Sequence, residues 1–138
     1  MKILVFDTLT EHAKKIREEV FIQEQGFQNE LDEIDNIAWH VVMFQEEEPI
    51  ATCRVFEDKE KGTFILGRLA VISKNRGMNY GSDMVNAAIS VVKEHGGNSI
   101  SLHAQCRVKK FYQTLGFHEY GAVDDDEGCP HIWMKKDL

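Results

Sequence analysis

The sequence predicts an α+β fold in which a mixed, mostly antiparallel sheet carries helices on both faces. Three successive runs of strand character, joined by short turn-forming segments, predict antiparallel neighbours. The third of these runs passes through a glycine-containing loop into a helical pattern and then into another strand run, which predicts a crossover connection. Helical patterns before and after this crossover supply layers for both faces of the sheet.

The chain opens with a strand and a helix. Residues Ile3 to Phe6 form a short apolar run with β-branched and aromatic members, and the spacing from Thr8 to Glu11 predicts a capping box at the start of the helix. Gly26 is the predicted stop. The buried face of this helix is predicted at Leu9, Ala13, Ile16 and Val20.

The middle of the chain is predicted to be an antiparallel set of strands. Ala38–Phe44 and Ile50–Phe56 are rich in Val, Thr, Phe and Trp, and Gln45–Pro49 joins them as a hairpin. Gly62–Ser73 is the third run. The preceding segment, Phe27–Ala38, has weak periodicity and four acids, and it is predicted only to connect or cover other elements.

The second half predicts a helix, a strand, a short helix and a closing hairpin. Gly96 and Gly97 end the first helix, and Ser99–Gln105 alternates as a strand does. The short helix covers Val108–Leu115. The last two strand runs are separated by Asp124–Gly128, which we interpret as a solvated acidic loop because it lacks the spacing of a calcium loop.

Length and charge restrict the function classes. With 138 residues and 43% hydrophobic content, the chain is predicted to be a single domain, residues 1–138. The net charge of −7 argues against nucleic acid and against an anionic membrane as partners. Any anionic ligand must therefore be held by a local feature.

The cysteines and the N-terminal segment favour a cytoplasmic protein. Cys53, Cys106 and Cys129 are far apart and form none of the spacings that zinc sites use, so reduced thiols and no metal are expected. The N-terminal apolar run is too short for a signal peptide or a membrane span.

The loop Val71–Ser82, with the sequence VISKNRGMNYGS, lies between a strand and a helix. Free backbone N–H groups and the dipole of the following helix can hold a phosphate there without net positive charge. The loop matches neither the Walker motif nor the dinucleotide fingerprint. From the loop alone, phosphate binding and ordinary turn geometry remain equal alternatives.

Three segments in order carry a resemblance to a known family. They are EEVFIQEQGF (Glu18–Phe27), RLAVISKNRGMNYGS and LHAQCRVKKFYQTLGF. Together they resemble the GNAT superfamily of acyl-CoA-dependent N-acyltransferases, whose loop pattern is R/Q-x-x-G-x-G/A and whose later helix carries Phe-Tyr-x-x-x-Gly-Phe. Arg76, Asn79 and Gly81 occupy the fixed loop positions. Asparagine replaces the first glycine, and it is the side chain that best tolerates left-handed backbone angles.

The resemblance implies an N-acetyltransferase that moves an acetyl group from acetyl-CoA to a primary or secondary amine of a small molecule by direct attack. It implies backbone donors for the acyl oxygen on the splayed strand and a pyrophosphate cradle in the loop. The implied cofactor-binding residues are Leu69, Ala70, Val71, Arg76, Gly77, Met78, Asn79, Tyr80, Gly81 and Ser82. A homodimer is compatible with the resemblance. The alternative is a non-catalytic acyl-CoA-binding or sensor domain of the same fold.

Tyr112 is the candidate general acid. A phenol with a pKa of about 10 is protonated at neutral pH and can donate to a departing thiolate. Without the surrounding family element, Tyr112 would be interpreted as a core residue of an amphipathic helix.

His131 is the candidate general base. The segment CPHIWMKK resembles the closing strand of glyphosate N-acetyltransferase and its relatives, in which the strand histidine serves as base and substrate ligand. A neutral imidazole can accept the amine proton near neutral pH. His40, His103 and direct removal of the proton by water remain alternatives.

Arg68 and Gln105 are the predicted substrate-binding residues. Arg68 matches an arginine that binds substrate anions in the same relatives, whereas Gln105 stands where those relatives have a second arginine, which weakens the case for a dianionic substrate. A group of acids instead either lines an acceptor mouth that prefers a cationic amine or forms a solvated face. These acids are Glu18, Glu24, Glu30, Asp32, Glu33 and Asp35. A nucleophilic role for Cys106 is disfavoured by direct transfer.

Overall fold

A seven-stranded sheet organises the chain, and the computed structural model describes residues 1–28 and 30–138. In chain order the strands are β1 (Lys2–Phe6), β2 (Trp39–Gln45), β3 (Glu48–Asp58), β4 (Thr63–Val71), β5 (Ser99–Gln105), β6 (His118–Asp126) and β7 (Cys129–Asp137). Their order across the sheet is β1-β2-β3-β4-β5-β7-β6. The β4–β5 pair is parallel and the other pairs within the described residues are antiparallel. The predicted mixed, mostly antiparallel sheet is confirmed.

Helices cover both faces of this sheet, as predicted. They are α1 (Glu11–Arg17), a π-helix (Glu18–Glu24), α2 (Tyr80–Glu94) and α3 (Lys109–Thr114), with short 3-10 turns at Glu33–Asn36, Ser73–Asn75 and Cys106–Val108. One buried cluster joins α2 and α3 to the sheet through residues such as Met84, Val92 and Leu66. A second cluster, on the opposite face, joins α1 to the sheet through residues such as Ile16 and Ala70.

The first helix differs from the predicted one at its start and in the geometry of its second half. Its N-cap is Thr10, whose side-chain oxygen accepts from the N–H of Ala13 at 3.2 Å, so the capping box predicted at Thr8 is wrong. The helix continues beyond Arg17 with π geometry, which directs the consecutive residues Val20 and Phe21 into the core. The predicted stop at Gly26 is confirmed by its left-handed φ of 80°.

The predicted acidic loop is largely strand. Asp124, Asp125 and Asp126 belong to β6, and a two-residue turn at Glu127 and Gly128, both with positive φ, connects it to β7. Sequence pattern predicted the first part of this strand but missed its continuation through Asp124–Asp126, because β6 is exposed along its whole length and lacks the apolar alternation that marks a half-buried strand.

The parallel pair β4–β5 separates towards its C-terminal end. The two strands are paired over Phe64–Leu66 and Ile100–Leu102 and then diverge. A register shift in the β3–β4 ladder lies beside the point of divergence, and Arg68 there has a φ of 51°. This divergence positions the site described next.

Candidate active site

A cavity of about 610 Å³ fills the gap between the diverging ends of β4 and β5. Its walls come from β4, β5, the π-helix, the N-terminus of α2, α3 and the tip of the β6–β7 hairpin. Cavities of this size commonly hold cofactors and small molecules. Of the ten predicted cofactor-binding residues, nine line it, and the exception is Met78, which is 61% exposed on the outer side of its loop.

The wall on the β4 side presents main chain. Leu69, Ala70 and Val71 line the cavity, and their strand pairs with β3 on its other edge, where Ala70 is opposite Thr52 and Val71 is opposite Ala51. Because β5 has moved away, this edge of β4 can bind an extended chain through main-chain hydrogen bonds.

The loop before α2 has the backbone of an anion cradle. Asn79 is the N-cap residue with φ 64° and ψ 17°, which confirms that asparagine keeps the left-handed angle predicted for this position. Gly77 has a φ of 82°. The first N–H groups of α2, from Tyr80 onwards, have no intrahelical partners and lie at the cavity.

Gly81 also has a packing function. A Cβ atom at this position would lie 3.2 Å from Cζ of Phe111, so a side chain here would press against α3. Packing against Phe111 is therefore a second reason for glycine at position 81, in addition to the predicted phosphate contact.

Arg76 is joined to a carboxylate across the cavity mouth. Its Nη1 and Nη2 donate to Oε2 and Oε1 of Glu24 at 2.6 and 2.8 Å, and its Nε donates to the carbonyl of Val71 at 2.9 Å. The hydrogen bond from Arg76 lowers the pKa of Glu24, and the same bond raises the pKa of Arg76. Arg76, the residue predicted to bind the pyrophosphate, is thus paired with Glu24 of the π-helix in this conformation.

Tyr112 lies in α3 and lines the cavity while being only 8% exposed. Its ring makes edge contacts with Phe111 and Phe117. Burial, with a smaller contribution from the Cys53 thiol, raises the pKa of Tyr112, so the phenol stays protonated at neutral pH. The hydroxyl makes no hydrogen bond to any other residue that the structure describes, which leaves its proton available to a ligand.

His131 lies on β7, lines the cavity and is 6% exposed. Its Nδ1 is 2.8 Å from the carbonyl oxygen of Cys129. Because a carbonyl can only accept, Nδ1 carries a proton, and in the neutral imidazole Nε2 then holds the lone pair. That is the tautomer a general base needs.

The two alternative histidines have different environments. His103 on β5 lines the same cavity, and its Nε2 is 2.7 Å from Oδ1 of Asp124. His40 lies outside the cavity, where its Nε2 donates to the carbonyl of Asp35 at 2.9 Å and burial lowers its pKa.

Asp124 is absent from the sequence-based candidates. The two-residue turn at Glu127 and Gly128 was the available signal, because it fixes Asp124 opposite His131.

Most of the acids assigned to an acceptor mouth instead bind arginines. Glu24 and Glu30 line the cavity, whereas Glu18, Asp32, Glu33 and Asp35 do not. The network behind the cavity consists of Arg17, Arg54, Arg68, Glu30, Asp32 and Asp35. Glu30 and Asp35 are buried, so a solvated acidic face is also wrong for them.

Two arginines hold Asp35 in this network. Arg17 donates from Nη1 and Nη2 at 2.8 and 3.0 Å, and Arg54 donates from Nη1 at 2.9 Å. Burial opposes ionisation, but these hydrogen bonds overcome it and hold the pKa of Asp35 well below its usual range.

The predicted substrate residues both have protein partners. Arg68 donates from Nε to the carbonyl of Glu30 at 3.0 Å and pairs with Asp32 at 3.3 Å, and burial lowers its pKa. Gln105 donates from Nε2 to Gln25 at 2.9 Å and accepts from Arg107 at 2.9 Å. Both residues line the cavity, and their substrate contacts stay predictions.

The remaining candidate groups lie away from the cavity. Cys53, Cys106 and Cys129 are free thiols, and Cys106 does not line the cavity. Across residues 1–28 and 30–138, no cluster of three or more His, Cys, Asp or Glu is arranged to hold a metal ion. In the same residues, no helix has the length and apolar character that crossing a membrane requires.

A family model described as the acetyltransferase (GNAT) domain matches residues 7–138. The chain belongs to the GNAT acetyltransferase family. It is 30% identical to the uncharacterized N-acetyltransferase YjcF of Bacillus subtilis over 125 residues, which cover 88% of each chain. It is 31% identical to the uncharacterized protein YyaT of the same organism over 133 residues, covering 91% of this chain and 87% of YyaT.

Solved GNAT structures share the fold. ElaA of Escherichia coli superposes with a TM-score of 0.87 at 23% identity and covers 98% of both chains. An aminoglycoside 6'-N-acetyltransferase solved with coenzyme A superposes with a TM-score of 0.77 at 18% identity, covering 99% of this chain and 97% of the other. At these identities the likeness establishes the GNAT fold.

Proposed function

We propose that this GNAT protein is an acetyl-CoA-dependent N-acetyltransferase that transfers an acetyl group to a primary or secondary amine of a small molecule by direct attack. The observation that carries the proposal is the cavity at the β4–β5 divergence, which is lined by both a buried phenol, Tyr112, and a buried imidazole, His131. The two side chains belong to different elements, α3 and β7, and supply the two proton functions that acyl transfer to an amine requires.

The donor half of the cavity fits coenzyme A. The edge of β4 at Leu69–Val71, where β5 no longer pairs with it, suits the amide-containing pantetheine arm, and the N-terminus of α2 with its left-handed Asn79 suits a diphosphate. When bound, the coenzyme supplies the activated acetyl thioester. The main-chain N–H groups of β4 would then donate to the acyl oxygen as it gains negative charge.

The proton functions divide between the two buried side chains. His131 accepts the amine proton at Nε2, because Nδ1 is already committed to the Cys129 carbonyl. Tyr112 donates its phenolic proton to the departing thiolate, and its raised pKa keeps that proton in place until then. Direct attack requires no cysteine nucleophile, in agreement with the position of Cys106 outside the cavity.

The acceptor half is a bounded space rather than an open groove. Gln25 is tied to Gln105, and the N–H of Gln28 donates to Oε1 of Glu127 at the hairpin tip at 3.0 Å, so the π-helix end and the β6–β7 hairpin close one side. An enclosed wall of this kind favours a small-molecule amine over a protein substrate.

The test is release of free thiol from acetyl-CoA with a panel of small amines and peptides. We expect thiol release above the hydrolytic background with at least one small amine, together with a rise in melting temperature with acetyl-CoA alone. A ligand at about 100 times its dissociation constant stabilises by roughly 2.7 kcal/mol. A thermal shift without thiol release would instead support the non-catalytic acyl-CoA-binding alternative, and no shift would overturn both.

A further inference from the structure

Asp124, His103 and His131 converge on one face of the sheet from three neighbouring strands. Register places Asp124 of β6 and Gln105 of β5 on either side of His131, and it places His103 opposite Trp133. The Asp124 carboxylate reaches diagonally across β7 to accept a hydrogen bond from Nε2 of His103 at 2.7 Å. We propose that Asp124 and His103 are positioning residues for His131, an inference that rests on the acetyl transfer proposed above.

His103 is held between two rings. Its centroid lies 4.8 Å from that of His131, with an interplanar angle of 34°, and 4.9 Å from that of Trp133, with an angle of 23°. Nζ of Lys61 lies 3.8 Å from the Trp133 centroid. The ring of His103 therefore forms one wall of the position that His131 occupies, and the hydrogen bond to Asp124 fixes the rotation of that wall.

The hydrogen-bond partners also set the tautomers of both imidazoles. An ionised carboxylate only accepts, so Nε2 of His103 carries its proton. The carbonyl of Cys129 likewise requires the proton on Nδ1 of His131. With both rings oriented, the lone pair of His131 is held in one direction at Nε2.

Orientation, rather than charge, is what Asp124 supplies. Its side chain is 53% exposed, so water screens the field of its carboxylate at His131. A hydrogen bond keeps its geometric effect under such screening. A neutral side chain with an acceptor oxygen at the same place should therefore preserve most of the function.

The kinetic test compares Asp124→Ala with Asp124→Asn. We expect Asp124→Ala to lower kcat about tenfold with an unchanged KM for acetyl-CoA, since a misdirected catalytic group can lose up to about 100-fold. Asp124→Asn should recover activity to within about threefold of wild type, because its amide oxygen can still accept from His103. Glu119→Gln, on the same strand and paired with Lys109 outside the site, is the matched control.

A double-mutant cycle separates positioning from general damage. If Asp124 acts through His131, then Asp124→Ala should have no further effect on kcat in a His131→Ala background. An equal loss in both backgrounds would overturn the proposal, and so would an Asp124→Asn variant as slow as Asp124→Ala.

Ring spectra test the same point without turnover. Long-range ¹H–¹⁵N spectra of the wild-type histidines should show the Nε2–H tautomer for His103 and the Nδ1–H tautomer for His131. In Asp124→Ala, we expect His103 to average between tautomers and the His131 ring signals to shift. Unchanged His131 signals would overturn the positioning, whereas absent wild-type turnover would overturn the proposed function alone.

Discussion

Glu24 and Arg76 join the π-helix to the loop before α2 through two parallel hydrogen bonds of 2.6 and 2.8 Å. Both residues line the cavity that we assign to the coenzyme. A diphosphate and the Glu24 carboxylate are chemically similar partners for a guanidinium, since each accepts two N–H groups at once. Binding of the coenzyme through Arg76 therefore requires exchange of one anionic partner for another.

Glu24→Gln should strengthen acetyl-CoA binding about two- to fivefold. The change removes the competing charge, and exposed pairs of this kind are worth less than about 1 kcal/mol. Isothermal titration with acetyl-CoA measures the effect. Glu48→Gln, which breaks the exposed pair with Lys74 away from the cavity, should leave the affinity unchanged. Weaker binding by Glu24→Gln would show that the pair shapes the site instead.

Tyr112→Phe should lower kcat about 100-fold while leaving the dissociation constant of acetyl-CoA nearly unchanged. Phenylalanine fills the same space against Phe117 but has no proton to donate. Steady-state kinetics combined with equilibrium titration of the coenzyme separates the two quantities. Tyr120→Phe, at an exposed position on β6, is the control. Equal losses in kcat and affinity would assign Tyr112 to binding rather than to proton donation.

His131→Ala should remove the acidic limb of the pH–rate profile, which for an imidazole base falls at about pH 6 to 7. The side chain is buried at the cavity, and its Nδ1 is hydrogen-bonded to the Cys129 carbonyl, which leaves Nε2 as the atom that can accept a proton. Added imidazole should restore part of the activity, because the deletion leaves space for it. A profile with the same limb would assign the base to water or to another residue.

Asn79→Ala should lower the free energy of unfolding by about 1 kcal/mol, because alanine is strained at a φ of 64°. Asn79→Gly should be close to wild type in stability and should bind acetyl-CoA at least as well. Urea unfolding and coenzyme titration of the pair give the comparison. Equal stability of both variants would contradict a left-handed Asn79.

Asp35→Asn should lower the free energy of unfolding by about 3 kcal/mol at pH 7, since it leaves Arg17 and Arg54 short of a buried counter-charge. In the wild type the folded pKa of Asp35 lies below the unfolded one, so the unfolded state binds more protons as the pH falls. The stabilisation is complete above the ordinary carboxyl range of about 4 and is lost as the pH falls towards the folded pKa.

Urea unfolding at pH 7 and pH 3 measures this dependence. The pH slope should be smaller in Asp35→Asn than in the wild type. It should be unchanged in Asp137→Asn, which alters an exposed carboxylate at the end of β7. Equal slopes in all three proteins would show that Asp35 does not carry the acid sensitivity.

The local sequence pattern was sufficient to predict an element of the fold wherever only one face of that element is buried. The face of α1 at Ala13 and Ile16, the stop at Gly26 and the crossover through α2 follow from apolar spacing and glycine placement. The extent of β6 could not be predicted from such a pattern, because a strand exposed along its whole length has no alternation of buried and exposed residues. The π geometry after Arg17, in which the consecutive residues Val20 and Phe21 are buried, was not predicted either, because an α-helical period cannot express it.

In the candidate site, too, some residues could be predicted from the sequence and others could not. The lining positions of Tyr112, His131 and the α2 loop were predicted because each lies within a local motif. The partners of Arg76 and Arg68 were not predicted, since Glu24 and Glu30 are 52 and 38 residues distant in sequence and meet them only in the folded chain. The position of Asp124 beside His131 follows from the register of the closing hairpin, since Asp124 belongs to no recognisable motif.

The divergence of β4 from β5 gives the two halves of the cavity different sensitivities to mutation. The main-chain donors of the donor half lie on Leu69–Val71 and the first turn of α2, so most side-chain replacements in these two segments leave those donors in place. The acceptor half is built from side chains such as Gln25, Gln105 and Glu127. For the reaction proposed above, we therefore expect point mutations on the acceptor side to change which amine is used, while the use of the acyl donor is retained.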